Sequence, residues 1–426
     1  MIHFLIPRNS KLLYKDIDCI AEKYIVPPPG IPKSHHADIE FPNPTISQSL
    51  SYYLYDIKER IDAYEREWDI FKRYTNPYEY IHTSIPSCVT KSDDPTKQTY
   101  LFLNNGMSVY IPKYKSVSKY KPLSRSYFKM IEITNFFRLL DTVSDSMRSF
   151  HLAEGPGGFI EALVNMRENR NDQYIGMTIL DDDVDPSIPA WKKSERFLKN
   201  NPNVYIEKGR DQTGDILSLD NFDHCIDAYR SSMDIITGDG GFDFSSDFNN
   251  QEIQISRLLF AQVAFAIGMQ KRGGSFILKI FDCFMQHSID ILAILSSFYE
   301  KVYITKPQTS RYANSEKYVV CKGFLYSSNE EFIGDLRETF IKMAVMKDTA
   351  ACEYRICRFL NVPLNVFFIS RIEELNAIFG QQQIENIYNT ISLIESKNKS
   401  EKISTLVKGN IEKCIYWCMK HNISSL

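Results

Sequence analysis

Residues 148–166 read RSFHLAEGPGGFIEALVNM, and this stretch decides the fold. Arg148 to Ala153 reads as a short strand. Glu154-Gly155-Pro156-Gly157-Gly158-Phe159 is a glycine turn, and Phe159, Ala162, Leu163 and Met166 then recur at helical spacing. Glycines between a strand and a helix let the backbone approach a ligand closely, and the helix N-terminus favours anionic groups. The spacing is neither GxGxxG nor GxxxxGK[ST], so dinucleotide and P-loop readings fit poorly. A nucleoside-bearing cofactor suits the position; the bland alternative is a plain tight turn.

The same alternation continues outward. Tyr174 to Leu180 and Val204 to Glu207 read as strands, and Met233 to Thr237 as a buried strand ending at Gly238-Asp239-Gly240-Gly241. An amphipathic helix is expected from about Asn249 to Met269, stopped by Gly273-Gly274. Ser275 to Phe281, Val302 to Ile304 and Lys317 to Leu325 are the remaining strands, with a helix over Ser288 to Phe298. Strands alternating with helices over roughly 180 residues imply an α/β fold with a doubly wound, mostly parallel sheet. Ligands of such sheets bind at the carboxyl ends of the strands. Before this region lie turn-rich residues with one helix expected from Ser47 to Arg73. Beyond residue 326 only helices are expected, for example Glu373 to Ile394, with no chemical motif.

Composition narrows the classes. A net charge of −3 over 426 residues gives no general basic field, so any nucleic-acid contact must come from a local patch. The most apolar run, Leu258 to Gln270, is shorter than the roughly 20 residues a bilayer requires, so no membrane partner is expected. Met1 to Pro7, followed by Arg8 and Lys11, does not read as a signal peptide. The nine cysteines form no CxxC pair, and their odd number argues against a full disulfide framework. Reduced thiols and no metal site are expected.

Three further features carry chemistry. Asp239 stands at the end of an apolar strand, where a carboxylate points into the ligand crevice; a simple loop aspartate is the alternative. Lys279, in Phe276-Ile277-Leu278-Lys279-Ile280-Phe281, is a lysine inside an apolar strand. Either it snorkels from an edge strand, or it is a partnered buried amine available as a general base. Residues 113–129, KYKSVSKYKPLSRSYFK, hold six basic residues, three tyrosines and no acid. That mixture fits a nucleic-acid strand, with cations on phosphates and rings under bases, or else a solvated basic loop.

Together these segments resemble the FtsJ-like (RrmJ-like) ribose 2′-O-methyltransferases, and among them the cap-specific messenger RNA enzymes of eukaryotes and large DNA viruses. The resemblance covers roughly residues 120 to 325, with an echo at Asn76-Pro77-Tyr78-Glu79-Tyr80-Ile81. It implies a Rossmann-like methyltransferase sheet and a Lys-Asp-Lys-Glu tetrad. The tetrad members are Lys129 in SRSYFKM, Asp239 in GDGGF, Lys279 in GGSFILKIFD and Glu316 in KPQTSRYANSEKYVVCKG. It further implies that S-adenosylmethionine lies against Glu154, Gly155, Pro156, Gly157, Gly158 and Phe159, with Asp215 and Ile216 on the adenine side and Asp239 near the sulfonium. RNA contacts are implied at Ser124, Arg125, Asn249, Asn250, Gln251, Ser310, Arg311 and Glu316. Tyr312 departs from the family's proline and Glu154 from its small or cysteine residues, which removes no catalytic group.

The resemblance divides the chain into an RNA- or cap-side extension (1–120), a methyltransferase domain (121–325) and a helical extension (326–426). Capped messenger RNA is the implied substrate, with other capping enzymes or the transcription machinery as further partners. The setting expected is intracellular, either the host cytoplasm for a viral enzyme or the nucleus for a cellular one, and the sequence leaves the two open. The rival readings are a methyltransferase of ribosomal or transfer RNA, a non-catalytic RNA-binding subunit, and a nicotinamide dehydrogenase. The last lacks GxGxxG and leaves Lys279 unexplained.

Overall fold

Eight strands form the central sheet of the computed structural model, which describes residues 1–9, 12, 15–25, 44–86, 100–102, 106, 108–110, 116–180, 190–241, 251–346 and 352–426. Ahead of the parallel strands come β1 (Ile2–Ile6), β2 (Ile17–Ile25), α1 (Gln48–Glu59), α2 (Glu65–Thr75), β3 (Tyr100–Phe102) and β4 (Ser108–Tyr110). Then follow α3 (Ser126–Phe137), β5 (Arg148–Leu152), α4 (Gly158–Arg167), β6 (Gln173–Met177), α5 (Glu195–Asn200), β7 (Val204–Ile206), α6 (Leu219–Tyr229) and β8 (Met233–Gly238). The region closes with α7 (Gln251–Gln254), α8 (Ser256–Met269), β9 (Gln270–Ile280), α9 (Gln286–Phe298), β10 (Tyr299–Lys306) and β11 (Lys317–Phe324). After it come α10 (Glu330–Val345), β12 (Cys352–Leu360), α11 (Val366–Glu395) and α12 (Lys399–Lys420).

The strand order is β1-β10-β11-β9-β8-β5-β6-β7. The five strands β9, β8, β5, β6 and β7 run parallel, while β11, β10 and β1 add antiparallel pairings on one side. Strand order reverses between β5 and β8, which puts a ligand crevice beside Glu154 and Asp239. Alternate residues face opposite layers, as the two-residue period of a strand requires. Ile236, Phe276 and Leu278 join the core under α6, α8 and α9. Ile235, Ile277, Tyr318 and Val320 join the core under α3, α4 and α12. Helix α8 is apolar on all sides because nearly every residue in it is buried.

Several expectations change. The helix expected over 47–73 is two helices, α1 and α2, joined by a tighter turn at Arg60–Tyr64; both contact α11. Gly273-Gly274 does not cap α8, since strand β9 begins at Gln270 directly after it. Met233 pairs with Gln270 and Ile235 with Ser275, so the glycines lie where β9 bulges away from β8. Gly273 has φ 80°, and a Cβ on Gly274 would lie 2.9 Å from the Asp234 carbonyl. The C-terminal part is not helical throughout: β12 pairs antiparallel with β2. At the start of the chain, β1 extends the central sheet at β10. Among the described residues no helix is long and apolar enough to cross a membrane, and no cluster of metal-ligating side chains occurs.

Candidate active site

Register brings the reactive side chains together. Gly238 pairs with Leu278, so Asp239 leaves β8 beside Lys279 of β9. On the other side of β9, Tyr318 pairs with Lys279 and Lys317 with Ile280. Glu316, one residue before β11, therefore arrives at the same edge, although β11 runs the opposite way. Lys129 projects from the first turns of α3, which packs beside α4. Because β9 lies between β8 and β11, the edge-strand account of Lys279 does not hold.

The contacts form one chain. Lys129 Nζ lies 2.6 Å from Glu316 Oε1, and both side chains are only 12% exposed. Lys129 Nζ also donates to the Tyr318 hydroxyl at 3.4 Å. That hydroxyl donates to Asp239 Oδ1 at 2.9 Å. Lys279 Nζ donates to the Asp239 carbonyl at 2.7 Å and stands 3.4 Å from Asp239 Oδ1. Burial would raise the Glu316 carboxyl, but Lys129 and Lys279, with a hydrogen bond from Ser310 at 2.6 Å, bring it down to about 2. Burial, reinforced by Asp239, holds the Tyr318 phenol well above its usual value, so it stays a donor.

The loop after β10 is fastened underneath. Lys306 Nζ, fully enclosed, donates to the Asn314 carbonyl at 2.6 Å, Asn314 Oδ1 at 3.0 Å and the Glu316 carbonyl at 2.8 Å. Burial and then Lys317 pull this amine down, to about 7. Its three acceptors nevertheless match the three protons of an ammonium. Glu132, one turn beyond Lys129 on α3, accepts from the Gln308 and Thr309 amides at 2.8 and 3.2 Å. Sequence reasoning missed Tyr318, Lys306 and Glu132 as parts of the site. A signal existed for Tyr318, which stands two residues after Glu316 and opposite Lys279.

On the cofactor side the glycine turn is wedged against the segment that leads into α3. A Cβ on Gly158 would fall 2.1 Å from Ser124 Oγ and 3.1 Å from the Tyr127 amide, so only glycine permits this approach. Trp191 covers Gly157 and Gly176 in the same way. Glu154 accepts from the Phe159 amide and lies 3.4 Å from His151 Nδ1. Burial makes both neutral, raising Glu154 well above the carboxylate range and lowering His151 to about 3, so they are not an ion pair. His151 is held by the hydroxyls of Ser149 and Thr237 at 2.9 and 2.8 Å.

The other expected residues are distributed around this centre. Arg125 and Arg311 both bond Glu79, at 2.9 and 2.8 Å. Gln251 accepts from Ser315 Oγ at 2.9 Å, beside Glu316; Asn249 and Asn250 lie outside the described residues. Asp215 accepts from the Leu217 amide at 2.9 Å in its own turn, and burial raises its carboxyl. Ile216 and Phe159 are buried in the two cores, so each reaches a ligand only through its backbone. In the basic segment, Tyr127 is core and Tyr120 stacks on it at 5.0 Å while donating to Glu161. Tyr127 is therefore closed to bases, whereas Tyr120 keeps 37% exposure; Lys113, Tyr114 and Lys115 lie outside the described residues.

The FtsJ-like methyltransferase model matches residues 122–324. These residues are an FtsJ-like methyltransferase domain. Its fold is of the Rossmann-like methyltransferase type, and the family is S-adenosylmethionine-dependent. A cap-specific mRNA (nucleoside-2′-O-)-methyltransferase 2 of Pongo abelii is 31% identical over 306 residues, covering 66% of this chain and 36% of that protein. A cap-specific mRNA (nucleoside-2′-O-)-methyltransferase 1 of Leishmania braziliensis is 29% identical over 271 residues, covering 61% of this chain and 65% of the relative. The chain thus spans between about a fifth and two thirds of the length of these and other curated relatives it matches. A solved ribosomal RNA methyltransferase of Plasmodium falciparum aligns over 48% of this chain and 98% of its own at 22% identity, with a TM-score of 0.35, too low to bear on the fold.

Proposed function

We propose that this chain transfers a methyl group to a ribose 2′-hydroxyl of capped messenger RNA. The observation that carries the proposal is the linked set Glu316–Lys129–Tyr318–Asp239–Lys279 at the carboxyl edge of the parallel strands. The cap as substrate is supported by what the relatives from Pongo abelii and Leishmania braziliensis are called.

The residues present suit the cofactor. Gly155 to Gly158 form a close-approach turn at the crevice, and Asp239 offers a carboxylate to a sulfonium there. A Cβ on Gly241 would come within 3.2 Å of Lys279 Nζ, so glycine keeps the space beside the amine open. When bound, S-adenosylmethionine supplies an electrophilic methyl group.

The chain's own groups supply position and proton handling. Lys279 Nζ accepts or steers away the proton that the 2′-hydroxyl loses. Asp239 orients Lys279, and Glu316 orients Lys129, whose charge steadies the developing alkoxide. Arg125 and Arg311 stand where RNA approaches, while Ser310 is buried and holds Glu316. Orientation of the reacting groups accounts for about 7–11 kcal/mol of such barriers, and general-base help adds typically about 10²–10⁴-fold. The test is to incubate capped RNA with the protein and S-adenosylmethionine, digest it, and weigh the nucleotides. A methyl on the ribose of a cap-proximal nucleotide supports the reading; a methyl on a base, or none, refutes it.

A further inference from the structure

Arg125 and Arg311 come from segments far apart in sequence and converge on one carboxylate. Arg125 Nη1 donates to Glu79 Oε2 at 2.9 Å; Arg311 Nε donates to the same oxygen at 3.1 Å, and Arg311 Nη2 to Oε1 at 2.8 Å. Asn76 Nδ2 and Thr83 Oγ1 add bonds at 2.7 and 2.9 Å. The Glu79 side chain is fully buried, whereas those of Arg125 and Arg311 remain 22% and 35% exposed. Burial alone would raise the Glu79 carboxyl; the bond from Arg311 and the charge of Arg125 reverse this and hold it far below the usual range. One carboxylate and two guanidiniums leave a net positive charge facing outward.

The surroundings of Glu79 are rigid. Asn410 of α12 donates to the Tyr74 and Asn76 carbonyls at 2.8 and 3.4 Å. The Val117 and Ser118 amides donate to the Tyr80 and Ile81 carbonyls. The two arginines also sit on the elements that carry tetrad members. Arg125 lies four residues before Lys129 at the start of α3, and Ser310, next to Arg311, bonds Glu316. The other arm of Arg125 donates to the Thr309 carbonyl at 3.1 Å.

We infer that Glu79 is a positioning residue: it holds Arg125 and Arg311 as a preformed cradle for an RNA phosphate beside the Lys129–Glu316 pair. This rests on the RNA-methyltransferase reading above. It makes residues 76–83, outside the matched domain, part of the substrate site, and gives α12 a task in fixing them. A guanidinium fixed in advance loses less freedom on binding a phosphate than one that must be ordered.

The test is affinity for a short fluorescent capped RNA, measured by polarisation at several salt concentrations and beside S-adenosylmethionine affinity. Glu79→Gln removes a negative charge, so charge counting alone predicts tighter RNA binding. The cradle predicts the reverse, a loss of about tenfold with a shallower salt slope, because fewer phosphate contacts are made. Cofactor affinity should stay within about twofold. Glu79→Asp keeps the charge but is one methylene short of both guanidiniums, and an intermediate loss is expected. In an Arg125→Ala/Arg311→Ala background, Glu79→Gln should cost nothing further. Unchanged or tighter RNA binding would overturn the inference. So would equal losses in both backgrounds, or RNA and cofactor affinity falling together with melting temperature, which mark a merely structural role. A wild type that binds RNA but transfers no methyl refutes the proposed activity, with the cradle still tested by binding. A wild type that binds no RNA overturns the cradle.

Discussion

Tyr318 lies directly across the antiparallel ladder from Lys279, and its hydroxyl donates to Asp239 Oδ1 at 2.9 Å. Through that hydroxyl the Lys129–Glu316 pair meets the Asp239–Lys279 pair, since Lys129 Nζ lies 3.4 Å from it. The two pairs share this phenol.

Tyr318→Phe deletes the joint and keeps the ring. One buried hydrogen bond to a charged acceptor disappears, a cost of about 1–3 kcal/mol. The melting temperature should fall modestly and turnover about tenfold, with the protein still folded. Wild-type turnover in this variant, measured under saturating RNA and cofactor, would show that Asp239 needs no help from Tyr318.

Lys279→Ala removes the amine that is to handle the 2′-hydroxyl proton. Turnover should drop at least about 10²-fold, the lower range for a lost general base. Cofactor binding by calorimetry should survive, because Lys279 bonds Asp239 rather than the glycine turn. Activity retained within a few-fold would remove Lys279 from the chemistry.

Glu316→Gln leaves Lys129 enclosed without its countercharge. Breaking a buried pair from one side costs about 3–5 kcal/mol, so urea unfolding should move to lower denaturant. The wild-type carboxyl is held at about 2, below its usual 4.5. Its contribution is therefore full above about pH 4.5 and is lost as pH falls toward 2. The variant should lack that acid-side decline. A variant with the same acid profile as wild type would show that the pair does not couple to folding.

His421 Nδ1 accepts from Asn135 Nδ2 at 3.1 Å, and burial followed by Lys420 holds its pKa at about 4. The unfolded imidazole takes a proton near its usual 6.5, which the folded site resists. Its stabilising share is thus full above about pH 6.5 and shrinks as pH falls toward 4. Glu252, raised by burial to about 7, acts with the opposite sign in part of this window. The histidine share is therefore read as the difference between wild type and His421→Asn in urea midpoint against pH. A difference that narrows from pH 6.5 to 4 is expected; a constant one contradicts the assignment.

The parallel half of the sheet was legible because each strand is a buried apolar run bounded by turn residues, as in Met233 to Gly238. Lys129, Asp239, Lys279 and Glu316 each stand in a local motif, and strand register explains why they meet. Non-local pairings were not. Strand β12 is a strand because β2 lies alongside it, and β1 enters the central sheet only because β10 offers an open edge. Gly273-Gly274 looked like a helix stop because bulges and caps use the same residue. Glu79 was visible within its Asn76–Ile81 motif, but its two arginine partners come from positions 125 and 311 and declare themselves only in three dimensions.

The most direct measurement is transfer of labelled methyl from S-adenosylmethionine to a short capped RNA beside the same RNA uncapped, with wild type and Lys279→Ala. The account predicts label on a cap-proximal ribose, dependent on both the cap and Lys279. Equal label on uncapped RNA, or no label from wild type that still binds the cofactor, would contradict it.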